Sequence, residues 1–454
     1  MPIDRAKLRV AMEAEEQRFI DLHPKSRKAA SEALVGLISG VPMPWMVRLP
    51  GSFPLSVDQA EGSRFVDIDG IEYDDFCLGD TGAMTGHALA PVAEAVHRQA
   101  KRGITTMLPS TDATWVATEL SHRFGLPKWQ MAMTATDANR FVLRLARMLT
   151  GRPKICVMDW CYHGTVDETL AILDGNGNVV SRPGAIGPQV DPALTTRVVP
   201  FNDAEALEAA LAHGDVACVL MEPALTNIGI VLPDAGYLDD VRRITRRHGV
   251  LLVIDETHTI CAGPGGCTRE WNLDPDFFVI GKPIGGGVPV AAYGMTQEVA
   301  SRVEERLRNS DVDVSRIGGT LTGNALALAA VRATLSNALT ASDFSKTVPM
   351  ARMWADGVRS AYSSAGLDWH VQQLGCRAEY WFSSPPRNGA DAAAAMDHEL
   401  ESFMHLFCLN RGILLTPFHN MALISPSHTE SQITHHNEVF SEAISCLTAG
   451  SSTR

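Results

Sequence analysis

Basic side chains are scarce in this chain. Lys and Arg number 39 against 52 Asp and Glu in 454 residues, a formal net charge of −13. Clustered Lys and Arg are what hold a protein to nucleic acid or to an anionic membrane surface, so neither is expected as a partner. The one basic cluster, Arg242, Arg243, Arg246 and Arg247, has the spacing of a solvated helix face. Long hydrophobic runs are missing too: the uncharged stretch at 33–47 is too short and too rich in Pro and Gly to cross a bilayer. The start, MPIDRAKLRVAMEAEEQRF, is charged and lacks the apolar centre of a signal peptide, so the expected compartment is the cytoplasm. Nine cysteines are scattered through apolar segments with no CxxC pair, which suits a reducing compartment and no metal centre. No repeat, low-complexity tract or charged linker divides the sequence. What remains, 45% hydrophobic and 20% charged, is two or three folded domains' worth of chain.

From about 110 to 330 short apolar runs such as KICVM, VACVLM, VLLVI and FFVI alternate with helix-like stretches such as 204–213 and 237–248. Continuous apolar strands each followed by a helix imply an α/β fold whose mostly parallel sheet is covered on both faces. The ends differ. Residues 50–76 contain a hairpin pattern with the turn Asp69-Gly70. From about 340 onward, helix patterns at 350–365 and 390–410 mix with the strand-like pieces AEYWF, GILLTP and MALIS. We therefore expect a large domain at 70–335 and a small α+β domain from 336–454, to which the N-terminal segment 1–69 contributes.

Ligands of parallel sheets bind at the carboxyl ends of the strands. Those ends carry Thr134-Ala135-Thr136-Asp137, Asp159 through Gly164, Glu222-Pro223, Asp255-Glu256 and Lys282. Asp255 closes an apolar run where a carboxylate is costly unless donors or a cation hold it. Lys282 follows another buried-looking run and precedes PIGGG, a place that favours a neutral, nucleophilic amine. The simplest arrangement for the two is a buried Asp255–Lys282 salt bridge. The functional one is a Schiff base between Lys282 and the aldehyde of pyridoxal phosphate, with Asp255 on the pyridinium nitrogen.

Seven segments in order decide for the second. GAMTGHALAPVAEAV at 82–96, TATDANRFVLRLARMLTGRPKI at 134–155, CYHG at 161–164 and MEP at 221–223 are followed by VIDETHT at 253–259, VIGKPIGGGVPVAAYG at 279–294 and GGTLTGNALALAA at 318–330. Together they resemble the class III pyridoxal-phosphate-dependent aminotransferases of fold type I, in the branch that includes glutamate-1-semialdehyde aminomutase. The resemblance implies a large domain with a mostly parallel, seven-stranded type of sheet plus a small α+β domain. It implies that Lys282 carries the cofactor as an internal aldimine and then moves the proton between Cα and C4′, while Asp255 keeps the ring nitrogen protonated. Backbone N–H groups of Ala135 and Thr136, after Thr134, would hold the phosphate at a helix start. Ala135 stands where the family has glycine, which works only with a negative φ. Tyr162 would stack on one ring face and Thr257 on the other. His163 is placed beside the cofactor, and Glu222 near its 3-hydroxyl side or the substrate. Thr320 would reach the phosphate in the neighbouring subunit of a homodimer. His87 and His258, like His163, fit a general-acid role or packing equally, whereas Asn139 and Arg147 read as structural.

The shared machinery does not choose the reaction. The aminomutase has a glutamate where GILLTPFHNMALISPSHTESQI, from Gly412, shows His419, Asn420 and Met421. That departure puts an aminotransferase first, moving an amino group from an amino acid or amine, β-amino acids included, to a 2-oxo acid. The aminomutase, a racemase or an ammonia-lyase comes second, and a non-catalytic relative last. Arg48 and Arg377 are candidates to hold a substrate carboxylate. Selectivity is assigned to loops at about 40–55, 160–190 and 415–425.

Overall fold

The computed structural model describes residues 3–186, 190–308 and 317–448. Two compact units are formed. One takes in the described residues up to Leu89, 342–385 and those from Ala395 onward; the other comprises Ala90–Ala341 with Pro386–Ala394. No described helix is long and apolar enough to cross a membrane.

The second unit is built on a seven-stranded sheet. Its strands in chain order are β1 (Lys128–Ala132), β2 (Lys154–Met158), β3 (Thr196–Val199), β4 (Val216–Met221), β5 (Leu251–Asp255), β6 (Phe277–Ile280) and β7 (Ala291–Met295). The spatial order is β1-β7-β6-β5-β4-β2-β3. Only β7 runs antiparallel to its neighbours; the remaining pairs are parallel, as continuous apolar strands require. Every residue of β4, β5 and β6 is buried. Because β4, β5 and β6 are parallel neighbours, Glu222, Asp255 and Lys282 emerge at one edge. The register sets Asp255 against Val279, three residues before Lys282.

Helix α1 (Ala135–Thr150) follows β1. Thr134 caps it by accepting from the Asp137 N–H at 3.2 Å, and Gly151, at φ +69, ends it. Its buried face, which includes Phe141, Val142, Leu145 and Leu149, repeats at helical spacing. Helix α2 (Tyr237–His248) carries the basic cluster. Its arginines are paired with acids: Arg242 with Asp276 at 2.8 Å, Arg243 with Asp240 at 2.7 Å, Arg246 with Asp274 and Arg247 with Glu208. The cluster is paired with acids around it.

The first unit combines both ends of the chain. Val57–Glu61, Arg64–Asp67 and Glu72–Asp75 form an antiparallel meander that turns at Gly70, φ +90. Ile413–Leu414 then adds in parallel to Glu72–Asp75. This is why the boundary falls after Leu89 and not at 69/70. The strand at 72–75 is hydrogen-bonded to the C-terminal part, with the Asp74 N–H donating to Gly412 O at 2.8 Å. The Asp75 carboxylate then takes the backbone N–H groups of Cys77 and Leu78. Likewise 336–341 stays with the sheet unit, and 386–394 returns to it. A second sheet, His370–Leu374, Arg377–Trp381 and Met421–Leu423, packs its aromatics with Trp354, Phe403 and Phe440.

The strand that delivers Lys282 depends on a ring cluster. Phe278, fully buried in β6, lies 4.7 Å from Phe124 and 5.6 Å from Trp129 between ring centres. Phe278→Ala is expected to cost about 3–5 kcal/mol of stability. Urea unfolding measures it, and a loss below about 1 kcal/mol would show that this cluster does not anchor β6.

Candidate active site

Asp255 ends β5 with only 4% of its surface exposed. Its carboxylate is held from three directions. Asn139 Nδ2, on α1, donates to Oδ2 at 2.9 Å; His163 Nδ1 lies 2.9 Å from the same oxygen; and the Thr257 N–H donates to Oδ1 at 3.1 Å. Burial pushes the carboxyl pKa up, but the bond and charge of His163, with Thr257 and Asn139, outweigh it and hold the group below its ordinary 3.8. Burial also opposes a charged His163, yet Cys161 and the Asp255 carboxylate keep its pKa well above 6.5. Asp255 and His163 are therefore an anion and a cation in contact, steadied by Asn139, whose amide also donates to His163 O at 3.1 Å.

Lys282 opens the turn after β6. It has a left-handed backbone, φ +49, which is costly for a side chain of this size and is tolerated where the surroundings dictate it. Its Nζ lies 2.8 Å from His258 Nε2. His258 is buried and comes three residues after Asp255, so the ends of β5 and β6 supply both partners. The residue before the lysine, Gly281, passes so close to the start of α1 that a Cβ there would meet Ala135 Cβ at 3.1 Å and its N at 3.3 Å.

The start of α1 is a cradle. Ala135 is its first residue and keeps a negative φ, so the loss of the family glycine is accommodated. Thr136 Oγ1 accepts from the Thr165 N–H at 3.1 Å, and Gly164, φ +79, lies where a Cβ would overlap the Thr136 side chain. Uncapped helix N–H groups beside a glycine with no side chain suit a phosphate. Thr257 Oγ1 is buried with no hydrogen-bond partner among the described residues, a polar atom at the centre of the site. A helix start for an anion, an anionic carboxylate for a protonated ring nitrogen and a lysine amine for an aldehyde together fit pyridoxal phosphate.

Glu222, directly after β4, is buried and takes the hydroxyl of Thr226. Tyr162 is half-buried between Cys161 and His163. Arg182, which the sequence reading did not single out, reaches this group: it donates to Cys161 O at 2.7 Å, lies 5.2 Å from the Trp160 ring centre and sits in the electrostatic field of Tyr162 and Glu222. Nothing in its surroundings in sequence marks it. Asn139, read as structural from the sequence, is a fully buried amide on an otherwise apolar helix face and bonds to the site acid Asp255. Arg147 bonds Pro153 O and Glu168 and has no part in the site. His87 pairs with Asp75 at 2.7 Å in the other unit. Thr320 is exposed on the turn at 318–323.

The two arginines considered for a substrate carboxylate both belong to the first unit. Arg48 is exposed at the end of the turn Pro44–Arg48. Arg377 is fully buried, with Nη2 donating to Glu379 Oε2 at 3.0 Å, and Glu379 in turn meets His419 Nδ1 at 3.1 Å. Of the loop at 160–190, residues 187–189 lie outside the described residues.

Comparison with known proteins agrees with this geometry. The family model for class-III aminotransferases matches residues 48–357. The glutamate-1-semialdehyde 2,1-aminomutase of Sorangium cellulosum (strain So ce56) is 34% identical over 421 residues, 91% of this chain and 94% of that one. The crystal structure of a glutamate-1-semialdehyde-aminomutase from Pseudomonas aeruginosa PAO1 superposes with a TM-score of 0.97 at 47% identity, covering 98% of this chain and all of that one; a variant of it was solved in complex with PMP. A β-phenylalanine aminotransferase from Variovorax paradoxus shares the fold, with a TM-score of 0.85 at 24% identity over 96% of this chain and 97% of that one.

The raised His163 and lowered Asp255 values define a pH window. The Asp255 contribution to stability is complete above 3.8 and lost as pH falls through its lower folded value; the His163 contribution is complete below 6.5 and lost as pH rises through its higher one. The imidazole NMR signals of His163, assigned with His163→Asn, should keep their protonated positions well past pH 6.5. In Asp255→Asn the titration should drop, since burial then acts with less opposition. An unchanged midpoint in that variant would show that Asp255 does not hold the proton.

Proposed function

Because the chain belongs to the class III aminotransferase family and uses pyridoxal phosphate, we propose that it is an aminomutase. It would shift an amino group between adjacent carbons of a small amino-carbonyl acid of the glutamate 1-semialdehyde type. The observation that carries this reading is the 47% identity with the Pseudomonas aeruginosa enzyme across nearly the entire chain. The relatives thus favour the aminomutase over the aminotransferase that the sequence reading put first. The aminotransferase stays as the second reading on one observation: His419, Asn420 and Met421 stand where the resemblance calls for a glutamate, and Met421 is fully buried in a strand opposite Glu379.

Pyridoxal phosphate, when bound, supplies an aldehyde that condenses with amines and a ring that accepts the electrons of a breaking C–H bond. Lys282 would supply the amine that holds that aldehyde and, as a free amine, would be the base that moves a proton at the substrate carbon. Asp255 is kept anionic by His163 and Asn139, so it holds a proton on the ring nitrogen and raises the ring's electron affinity. Ala135, Thr136 and the helix start bind the phosphate and fix the register of the ring. Thr257 and Tyr162 would hold the ring from its two faces, while Glu222 would orient groups at the substrate side. Arg48 remains the proposed partner of a substrate acid, whereas Arg377 is fully buried and already paired with Glu379.

We place the enzyme in the cytoplasm as a homodimer. All nine cysteines are thiols and only Cys446 is exposed, which suits a reducing compartment. Dimerisation is supported by an apolar surface around Thr320. Met107, Leu108 and Leu321 are 74%, 73% and 50% exposed, and the Ala325 N–H donates to Ile104 O at 3.1 Å, setting the two segments side by side. Light scattering should give twice the 49.1 kDa chain mass, and Thr320→Ala should weaken cofactor binding without dissociating the dimer. A monomer with full activity would refute the shared site.

The decisive assay mixes the purified protein with glutamate 1-semialdehyde and, separately, with candidate amines and 2-oxo acids. Isomer formed with no acceptor consumed supports the aminomutase. Oxo acid formed with stoichiometric transfer to an acceptor supports the aminotransferase, and free ammonia neither. Lys282→Ala should lower either activity by roughly a thousandfold or more, the scale of a lost general base and nucleophile.

A further inference from the structure

Every turnover in the function proposed above frees the Lys282 amine and later needs it back in the same place. A lysine has four rotatable bonds and loses much rotamer freedom when fixed, so something must hold the free amine. A partner lies within reach: His258 Nε2 is 2.8 Å from Nζ. His258 is itself fixed. It is buried, it follows the fully buried Asp255, Glu256 and Thr257, and its carbonyl accepts from the Cys261 N–H at 3.3 Å as the following turn begins. Lys282 is aimed from the other side by its left-handed backbone at the start of the turn after β6, the strand hydrogen-bonded to β5. Two adjacent strand ends thus present a donor and an acceptor in register.

We propose that His258 is a positioning residue for Lys282: its Nε2 accepts a hydrogen bond from the free amine and keeps Nζ pointed at the place where the cofactor aldehyde binds. The inference rests on the pyridoxal-phosphate reading of the site and adds to it a residue that touches Nζ. No covalent step passes through the imidazole. Its role is to shorten the search of the amine for its carbon.

The test follows capture of cofactor by the apoprotein, a readout apart from turnover. Pyridoxal phosphate is added, borohydride stops the reaction at intervals, and the Lys282 peptide is quantified by mass spectrometry. His258→Met, of similar length but without a comparable acceptor, should slow capture by roughly tenfold, the kinetic equivalent of one lost hydrogen bond. His258→Gln keeps an acceptor at similar reach and should restore it to within about threefold of the parent. If His258→Met does not fold, as judged by its thermal midpoint, His258→Asn takes its place, since its amide is too short to reach Nζ and should also be slow. Capture by a folded His258→Met or His258→Asn as fast as the parent overturns the proposal, and so does a His258→Gln as slow as His258→Met. Lys282→Ala separates the two claims. If the parent protein labels no more than Lys282→Ala, the pyridoxal-phosphate reading fails; if the parent labels and the His258 variants match it, only the positioning role fails.

Discussion

A carboxylate at the end of a fully buried strand has to be kept charged against the low polarity around it, and the contact between Asp255 and His163 does so. The rest of the site is arranged about that pair. Asn139 ties it to α1, so the helix whose start is the proposed phosphate cradle is also the helix that braces the acid. Thr257 and His258 follow Asp255 in the chain, and Lys282 leaves the neighbouring strand three residues past the register partner of Asp255. Moving the acid would move the phosphate site and the lysine environment with it. In a parallel sheet this coupling comes without extra structure, because adjacent strands are locked by backbone hydrogen bonds and end on the same side.

Asp255 and Lys282 were legible in the sequence because each charged residue interrupts an apolar run where burial would otherwise be complete. The helix start at Thr134 was legible because an N-cap has its own local pattern. The sheet was legible in class, and β7 as its one antiparallel member was not, since its direction is decided by how the chain turns after PIGGG. The tie between Asn139 and Asp255 spans 116 positions. One-dimensional spacing carries no record of such a meeting, and the amide read only as a structural helix residue. His258 and Lys282 were each visible, yet their contact exists only once β5 and β6 are side by side. The boundary after Leu89 was hidden for a related reason. The strand at 72–75 completes its hydrogen bonds with residues more than three hundred positions away.

The two readings of the reaction differ in where they find support. The aminomutase draws on similarity spread over the whole chain, which reflects the shared cofactor machinery as much as the substrate. The aminotransferase draws on three residues in one short segment of the first unit. The buried Arg377–Glu379–His419 cluster is next to that segment, and burial of an ion pair is worth little as stability unless geometry is good on all sides. Such a cluster is better viewed as fixing the shape of its sheet than as strengthening it.

The left-handed φ of Lys282 carries an evolutionary consequence. A glycine would occupy that conformation at lower cost, and even the loss of a long side chain would relieve some ordering entropy. Mutational drift at this position is therefore downhill in folding energy and ruinous in chemistry. A descendant that lost its activity and kept its fold would gain stability from the same event, so the fold itself offers no protection for the residue its chemistry depends on.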